Sequence, residues 1–266
     1  GAPQAEHGPG LDPAALDQLA ATCAVVTTEF ENAPATAMER LAAHIPVRPS
    51  SSAIAITQDR VAEKEFLVDI GVAVAPYIVI DGDDDITSAA GFTFPAILKT
   101  ARLGYDGKGQ VRCASYADLA PGWEQLGRVT CVLEQRMNLT RELSVVLARG
   151  ADGTTACYPV SQNQHVHGIL DVSYAPANLP GTGHADAGEL GTYIAEELGF
   201  VGVMGVEMFV VGNDVLVNEL APRPHNSGHY TLDACVSSQF EQQVRAICGL
   251  ALGDTKLLVP GVAMVN

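Results

Sequence analysis

Basic residues are scarce in this 266-residue chain: 15 lysines and arginines stand against 31 aspartates and glutamates, a formal charge of −16 at pH 7. That excess repels a phosphate backbone unless a local basic patch overrides it, so nucleic acid is set aside as a partner. The six cysteines (Cys23, Cys113, Cys131, Cys157, Cys235, Cys248) are scattered, with no C-x-x-C pair, and no secretory leader is expected before them. They point to a reducing, cytoplasmic setting with mostly buried thiols, and a zinc cluster is not expected. No uninterrupted apolar run approaches the roughly 20 residues that a bilayer-spanning helix needs, which excludes a membrane partner and leaves a soluble chain. Internal repeats and low-complexity tracts are also missing. What remains is a globular chain long enough for one large or two modest domains.

The most informative segment present is Leu-Lys-Thr-Ala-Arg-Leu-Gly-Tyr-Asp-Gly-Lys-Gly-Gln at 98–110. An apolar strand ends on Lys99, and a glycine loop with Lys108 follows. Gly104, Gly107 and Gly109 let backbone N–H groups approach a polyphosphate while the two lysines supply charge. The segment lacks the G-x-x-x-x-G-K-[ST] of a Walker loop and no helix follows at once, so it reads as a lid closing over ATP; a glycine-rich surface hairpin is the plain alternative.

Around it, periodicity and punctuation predict helices over 12–21, 34–44, 59–70, 116–125, 188–198 and 239–248. Strands are predicted over 23–28, 96–99, 109–114, 130–135, 142–148, 155–159, 203–211 and 215–220. Turns are expected at 81–85, a loop carries Gln162, His165 and His167, and an apolar, proline-marked tail closes the chain. Glu29 and Glu31 would share one side of the end of the 23–28 strand.

Two further constellations carry chemistry. If the turn Gly212-Asn213-Asp214 is three residues long, Glu207 sits opposite Glu219 across a hairpin. Like charges so placed are destabilising alone and are best explained by a shared cation, with magnesium the natural choice. An even-length turn would place them on opposite faces, leaving solvated edge carboxylates. After Glu219, Arg223 is fixed between prolines, and His225, Asn226, Ser227 and His229 crowd one loop, a donor set suited to an anion, although Asn226 and Ser227 could serve local turn bonds. Glu134-Gln135-Arg136-Met137 ends a strand whose backbone could meet an adenine edge, with Glu142 placed for ribose hydroxyls; a charged linker is the alternative.

Together these blocks resemble the ATP-grasp superfamily, and within it the 5-(carboxyamino)imidazole ribonucleotide synthetases of purine biosynthesis. The resemblance rests on Thr-Glu-Phe-Glu-Asn at 28–32, Gln-Asp-Arg at 58–60, Leu-Lys-Thr at 98–100, Gly-Tyr-Asp-Gly-Lys-Gly-Gln at 104–110, Glu-Gln at 134–135 and Asn-Glu-Leu-Ala-Pro-Arg-Pro-His-Asn-Ser-Gly-His at 218–229, in family order across nearly the whole chain. Tyr105-Asp106 and Asn226-Ser227-Gly228 distinguish it from the formate-dependent glycinamide ribonucleotide transformylases, which share Pro-Arg-Pro-His.

The resemblance implies an α/β (α+β) chain of ATP-grasp fold with a small β-rich lid lobe (about 72–135) and a larger mixed-sheet lobe within 51–252. Part of an N-terminal α/β domain would precede it (1–50), and the start of a C-terminal domain would follow (253–266). It implies an ATP-dependent carbon–nitrogen ligase that makes carboxyphosphate from ATP and bicarbonate and passes the carboxyl group to 5-aminoimidazole ribonucleotide; a nucleotide-binding module without turnover is the rival. ATP would be lined by Arg60, Lys99, residues 104–110 (Gly104, Tyr105, Asp106, Gly107, Lys108, Gly109, Gln110), Glu134, Gln135, Arg136, Met137, Glu142, His165, Asn218 and Glu219. Glu207 and Glu219 would hold Mg2+, with water or Asn218 completing the shell. Tyr105, Asp106, Lys108 and Arg223 would serve catalysis, Asp106 taking the amine proton. Arg223, Asn226, Ser227, His229, Tyr105 and Glu29 or Glu31 would meet bicarbonate or the ribonucleotide. A homodimer is implied by similarity.

Overall fold

The structure, a computed structural model, describes residues 12–104, 108–166, 168–179, 181 and 183–266. Three short helices come first: α1 (Pro13–Thr22), α2 (Ala35–Ala42) and α3 (Ser51–Thr57). Asp12 caps α1 by accepting from Ala14 N–H, and Ser50 caps α3 by accepting from Ala53 N–H. The predicted strand over 23–28 shrinks to one parallel bridge, Val26 with Val47. Its available neighbour is flanked by Pro46 and Pro49, which bring no N–H to a ladder. Helix α3 escaped the sequence reading because its seven residues are too short to show a period.

Helix α4 (Arg60–Asp69), capped by Asp59, leads into a four-stranded antiparallel sheet of β1 (Tyr77–Ile80), β2 (Ala96–Thr100), β3 (Gln110–Cys113) and β4 (Cys131–Gln135) in the order β1-β4-β2-β3. Helices α5 (Asp83–Ser88) and α6 (Leu119–Gln125) cover one face, burying Ile80, Leu98, Leu133, Leu119 and Trp123 in a small core. Each fully buried Leu or Ile there contributes roughly 1.5–3 kcal/mol. The expected turn near 81–85 is instead the start of α5, whose first turn carries Asp83, Asp84 and Asp85, favourable charges at a helix N-terminus.

The larger sheet contains β5 (Arg141–Arg149), β6 (Thr155–Cys157), β7 (Ser161–Val166), β8 (Ile169–Ala175), β9 (Gly202–Val211), β10 (Asp214–Ala221) and β11 (Val262–Val265). Its order is β10-β9-β5-β7-β8-β11, with β6 beside β5. The segment read as a loop bearing Gln162 and His165 is a strand; His167 lies outside the described residues. It was hidden because Ser161 and Asn163 occupy the buried positions where a strand normally shows apolar residues. The tail likewise supplies β11, paired with β8.

Alternation along the central strands divides the large sheet. Leu143, Val145, Leu147, Met204, Val206 and Met208 pack on α7 (Gly183–Glu197) and join Ala53 and Leu67 of α3 and α4 in the main core. On the opposite face Val146, Ala148 and Val203 pack against Tyr230, Ala234 and Cys235 around α8 (Thr231–Ala234), beside α9 (Gln239–Ile247). Farther along that second face the residues become Ser144, Glu142 and Glu207, and the sheet opens into a cavity.

Candidate functional site

The cavity, about 720 Å³, lies between the two sheets. Helix α4 ties them together: Arg60 Nη1 reaches Glu219 Oε2 on β10 at 3.0 Å, Lys64 Nζ reaches Glu134 Oε1 on β4 at 3.3 Å, and Glu63 Oε2 accepts from Leu220 N–H at 3.1 Å. Lys99, at the end of β2, donates to the other Glu134 oxygen at 2.8 Å. Burial alone would raise the Glu134 carboxyl, but Lys99 and Lys64 outweigh it and hold the group below the ordinary carboxylate range. The Lys64 contact is an ion pair without the alignment of a hydrogen bond.

Glu207 and Glu219 do face each other, by a route the sequence did not disclose. The turn is two residues, Gly212 and Asn213, with Val211 paired to Asp214, and Gly212 takes a left-handed φ of +63°. That register, continued, would set Glu207 opposite Asn218. A bulge between Val217 and Glu219 shifts the pairing by one, so Glu219 stands opposite Glu207. Asn218, displaced by the bulge, donates to Glu207 Oε2 at 3.2 Å, and its Oδ1 is buried without a partner. His225 Nε2 lies 3.3 Å from Glu207 Oε1. Burial opposes ionisation of Glu207, yet the bonds with His225 and Asn218 keep its carboxyl below the usual range. Glu63, beneath the hairpin, is pushed up to about 8 by burial and by the charge of Glu219, against Arg60 and Lys64.

Two opposed carboxylates and an orphaned amide oxygen make a hard-oxygen set suited to Mg2+, which binds through one or two carboxylates and keeps several waters. Among the described residues no cluster of three His, Cys, Asp or Glu could hold a metal without such help.

The cavity gathers most of the residues singled out from sequence: Arg60, Lys99, Gly104, Lys108, Gly109, Gln110, Glu134, Gln135, Arg136, Met137, Glu142, His165, Glu207, Asn218, Glu219, Arg223 and Asn226, together with Glu31. Gly109 has a φ of +70°, and a Cβ there would lie 2.6 Å from Thr100 Oγ1, so only glycine closes β2 onto β3. Tyr105, Asp106 and Gly107 lie outside the described residues. His165 Nδ1 approaches Glu142 Oε2 at 2.6 Å, a contact that raises the imidazole above its ordinary value against the effect of burial. Arg223 Nη2 meets Glu31 at 2.7 Å, and Gln58 Nε2 donates to the carbonyls of Glu31 and Ala33, holding that segment at the rim.

Some placements differ from expectation. The N–H groups of Gln135 and Arg136 donate to the carbonyls of Pro76 and Pro95, so these two donors are committed within the protein. Ser227 is fully buried behind His225, and His229 is exposed, stacked on Phe240 with ring centroids 5.8 Å apart; neither lines the cavity. Glu29 is exposed and lines only a shallow crevice with Glu31 and Arg223, because the segment before it is not the strand expected. Sequence reasoning missed Glu63 and the Lys64–Glu134 pair. Their only signal was the charged face of α4 in an otherwise buried position.

Comparison with known proteins agrees with this arrangement. Residues 65–240 match the ATP-grasp domain family and residues 3–58 the ribonucleotide synthetase preATP-grasp domain. The chain is 43% identical over 251 residues to the bifunctional purine synthesis protein of Dictyostelium discoideum, covering 90% of this chain and 25% of that protein. It is 42% identical to the N5-carboxyaminoimidazole ribonucleotide synthase of Bacillus subtilis, covering 96% of this chain and 67% of the relative. The chain thus spans a quarter of the Dictyostelium protein and about two thirds of the bacterial one. Among solved structures, the Thermus thermophilus N5-carboxyaminoimidazole ribonucleotide synthetase superposes with a TM-score of 0.90 at 38% identity, covering 96% of this chain and 70% of that one. The Aspergillus clavatus enzyme in complex with ADP and 5-aminoimidazole ribonucleotide gives 0.83 at 30% identity, covering 92% and 65%. With its motifs in one cavity and these matches along almost its whole length, the chain belongs to the ATP-grasp superfamily and, within it, to the N5-carboxyaminoimidazole ribonucleotide synthase family.

Proposed function

We propose that this chain binds ATP in the cavity and, with bicarbonate, carboxylates the amine of 5-aminoimidazole ribonucleotide, the chemistry named for its relatives. The observation that carries the reading is that one cavity is lined both by Lys99, paired with Glu134 on the smaller sheet, and by the facing Glu207 and Glu219 of the larger sheet. Lys99, Lys108 and the glycine loop supply donors and charge to a triphosphate, Met137 lies beyond the committed N–H groups at the purine end, and Glu142 with His165 faces the ribose. Bound Mg2+, held by Glu207 and Glu219 with Asn218 adjacent, would offset the charge that develops on the phosphate oxygens.

In the first step a bicarbonate oxygen attacks the γ-phosphorus and the bond to ADP breaks, giving carboxyphosphate. In the second the amine attacks the carboxyl carbon, inorganic phosphate leaves, and the amine proton passes to a base, the role the resemblance gives to Asp106. Arg223 and Asn226, which line the cavity, are assigned to bicarbonate or the substrate phosphate, and Arg223 is paired with Glu31. Roles for Tyr105 and for Glu29 or Glu31 at the imidazole belong to the same reading. So do a homodimer and a cytoplasmic setting, the latter supported by six unpaired cysteines. Among the described residues no helix is long and apolar enough to cross a membrane.

The test is ADP release measured with and without bicarbonate and 5-aminoimidazole ribonucleotide. Release that requires bicarbonate and rises with the ribonucleotide is expected. Nucleotide binding with no ADP formed would make the chain a binding module, and stimulation by formate with glycinamide ribonucleotide would move it to the transformylase relatives.

A further inference from the structure

Behind Glu207 a line of buried polar side chains crosses the large sheet, and nothing in the proposed chemistry uses it. Register sets Ser144 of β5 directly opposite Glu207 of β9, and Asn163 of β7 opposite Ser173 of β8. All four lie on the sheet face that carries the cavity. Ser173 Oγ donates to Asn163 Oδ1 at 2.8 Å, Asn163 Nδ2 donates to Ser144 Oγ at 3.0 Å, and Ser144 Oγ donates to Ser227 Oγ at 2.6 Å. Ser227 Oγ in turn lies 2.8 Å from His225 Nδ1, and the imidazole's other nitrogen faces Glu207. Ser144 and Ser227 have no exposed surface, and Ser173 and Asn163 retain 1% and 5%. A buried hydroxyl left unmatched costs roughly 1–3 kcal/mol, so such a chain persists only when each donor finds its acceptor.

The direction of the chain fixes its end. Ser227 Oγ already accepts from Ser144, so its single hydrogen is available to His225 Nδ1. The backbone N–H of Ser227, which can only donate, also points at Nδ1, at 3.4 Å. Nδ1 is therefore an acceptor, and the proton of the neutral ring sits on Nε2, the nitrogen 3.3 Å from Glu207 Oε1.

Independent contacts hold the ring in place. Gln239, fully buried, accepts from His225 N–H and donates to His225 C=O, both at 2.8 Å. Gly228 leaves room for that clamp, since a Cβ there would lie 2.7 Å from Gln239 Oε1. The ring itself lies over Gly205, where a Cβ would meet the imidazole Cγ at 2.7 Å. Gly205 stands two residues before Glu207, on the same face of β9.

We propose that Ser227, Ser144 and Asn163 are positioning residues, a directed hydrogen-bond chain that holds His225 as its Nε2–H tautomer and so fixes the Glu207 carboxylate for the divalent cation. The role for the cation rests on the function proposed above; the tautomer does not. Outer partners that orient a metal-binding group typically govern 10–100-fold in metal affinity.

The experiment is nitrogen-15 NMR of the imidazole in the intact, metal-free protein labelled at histidine, followed by Mn2+ titration of the nucleotide-loaded protein. The wild-type ring should show an acceptor-type Nδ1 and a protonated Nε2. Ser227→Ala should let both tautomers appear and weaken Mn2+ by about tenfold. Ser144→Ala should do the same more weakly, and Ser144→Thr, which keeps the hydroxyl, should restore the wild-type pattern. A protonated Nδ1 in the wild-type protein, or Ser227→Ala with unchanged ring signals and Mn2+ affinity, would overturn the proposal. The expected ring signals in a protein that forms no ADP would uphold the positioning chain while refuting the carboxylation reading, so the two fail separately.

Discussion

Glu134 and Glu207 are both largely buried carboxylates on the wall of one cavity, yet they are compensated in different ways. Glu134 lies between Lys64 and Lys99, so its cluster carries more positive than negative charge. Glu207 is answered by an imidazole and an amide and faces a second carboxylate, Glu219, which is paired with Arg60. The first end is suited to receive an anion, the second a cation. Burial strengthens both preferences because little water screens them. A polyphosphate carrying a divalent ion would answer both groups at once.

The contrast can be broken most sharply at its negative end. Glu219→Gln should lower ADP formation by about 10²–10³-fold, the scale of removing one group that stabilises developing charge, while the relieved like-charge pair offsets part of the lost Arg60–Glu219 ion pair in the melting temperature. Full activity in that variant would remove the cation from the account. At the positive end, Lys64→Met should cost about 3 kcal/mol in denaturant unfolding, since it strips a buried partner from Glu134 and leaves Lys99, with the more distant Arg60, to answer it. An unchanged midpoint would show that Lys99 suffices.

Gly205→Ala should cost about 2 kcal/mol by forcing the His225 ring off its seat, with weaker cation binding as the specific sign. The gentlest effect concerns Glu63. Its carboxyl is pushed up to about 8 from an ordinary 4.5, so the folded state retains a proton that the unfolded chain releases. That contribution to stability is complete below about 4.5 and is lost as pH rises toward 8, with a slope of at most about 1.4 kcal/mol per pH unit. Chemical denaturation across that range should show the decline, and Glu63→Gln should flatten it.

How much of this could be read in advance differs from residue to residue. Lys99 and the glycines after it were legible because strand, cation and loop are contiguous. The pairing of Glu207 with Glu219 was legible as an outcome and not as a cause: the expected three-residue turn is a two-residue turn compensated by a bulge at Asn218, and the two devices shift the register equally. Strand β7 was hidden by its polar buried positions. Ser227, read as a ligand of substrate, is fully buried with its hydroxyl against that of Ser144, 83 residues away in the chain, a contact no local pattern signals.

From its amino-acid order alone the chain settled which chemical groups are present and their sequence along the backbone, because the motifs are local and their spacing survives any folding. The partners of each charge were decided only by packing. Helix α4 brings Arg60, Glu63 and Lys64 against strands of two different sheets, and pairings across more than a hundred residues between α4 and β10 leave no periodic trace. Burial then sets what each carboxylate can bind, since the field at a buried group comes from whichever side chains the fold places around it.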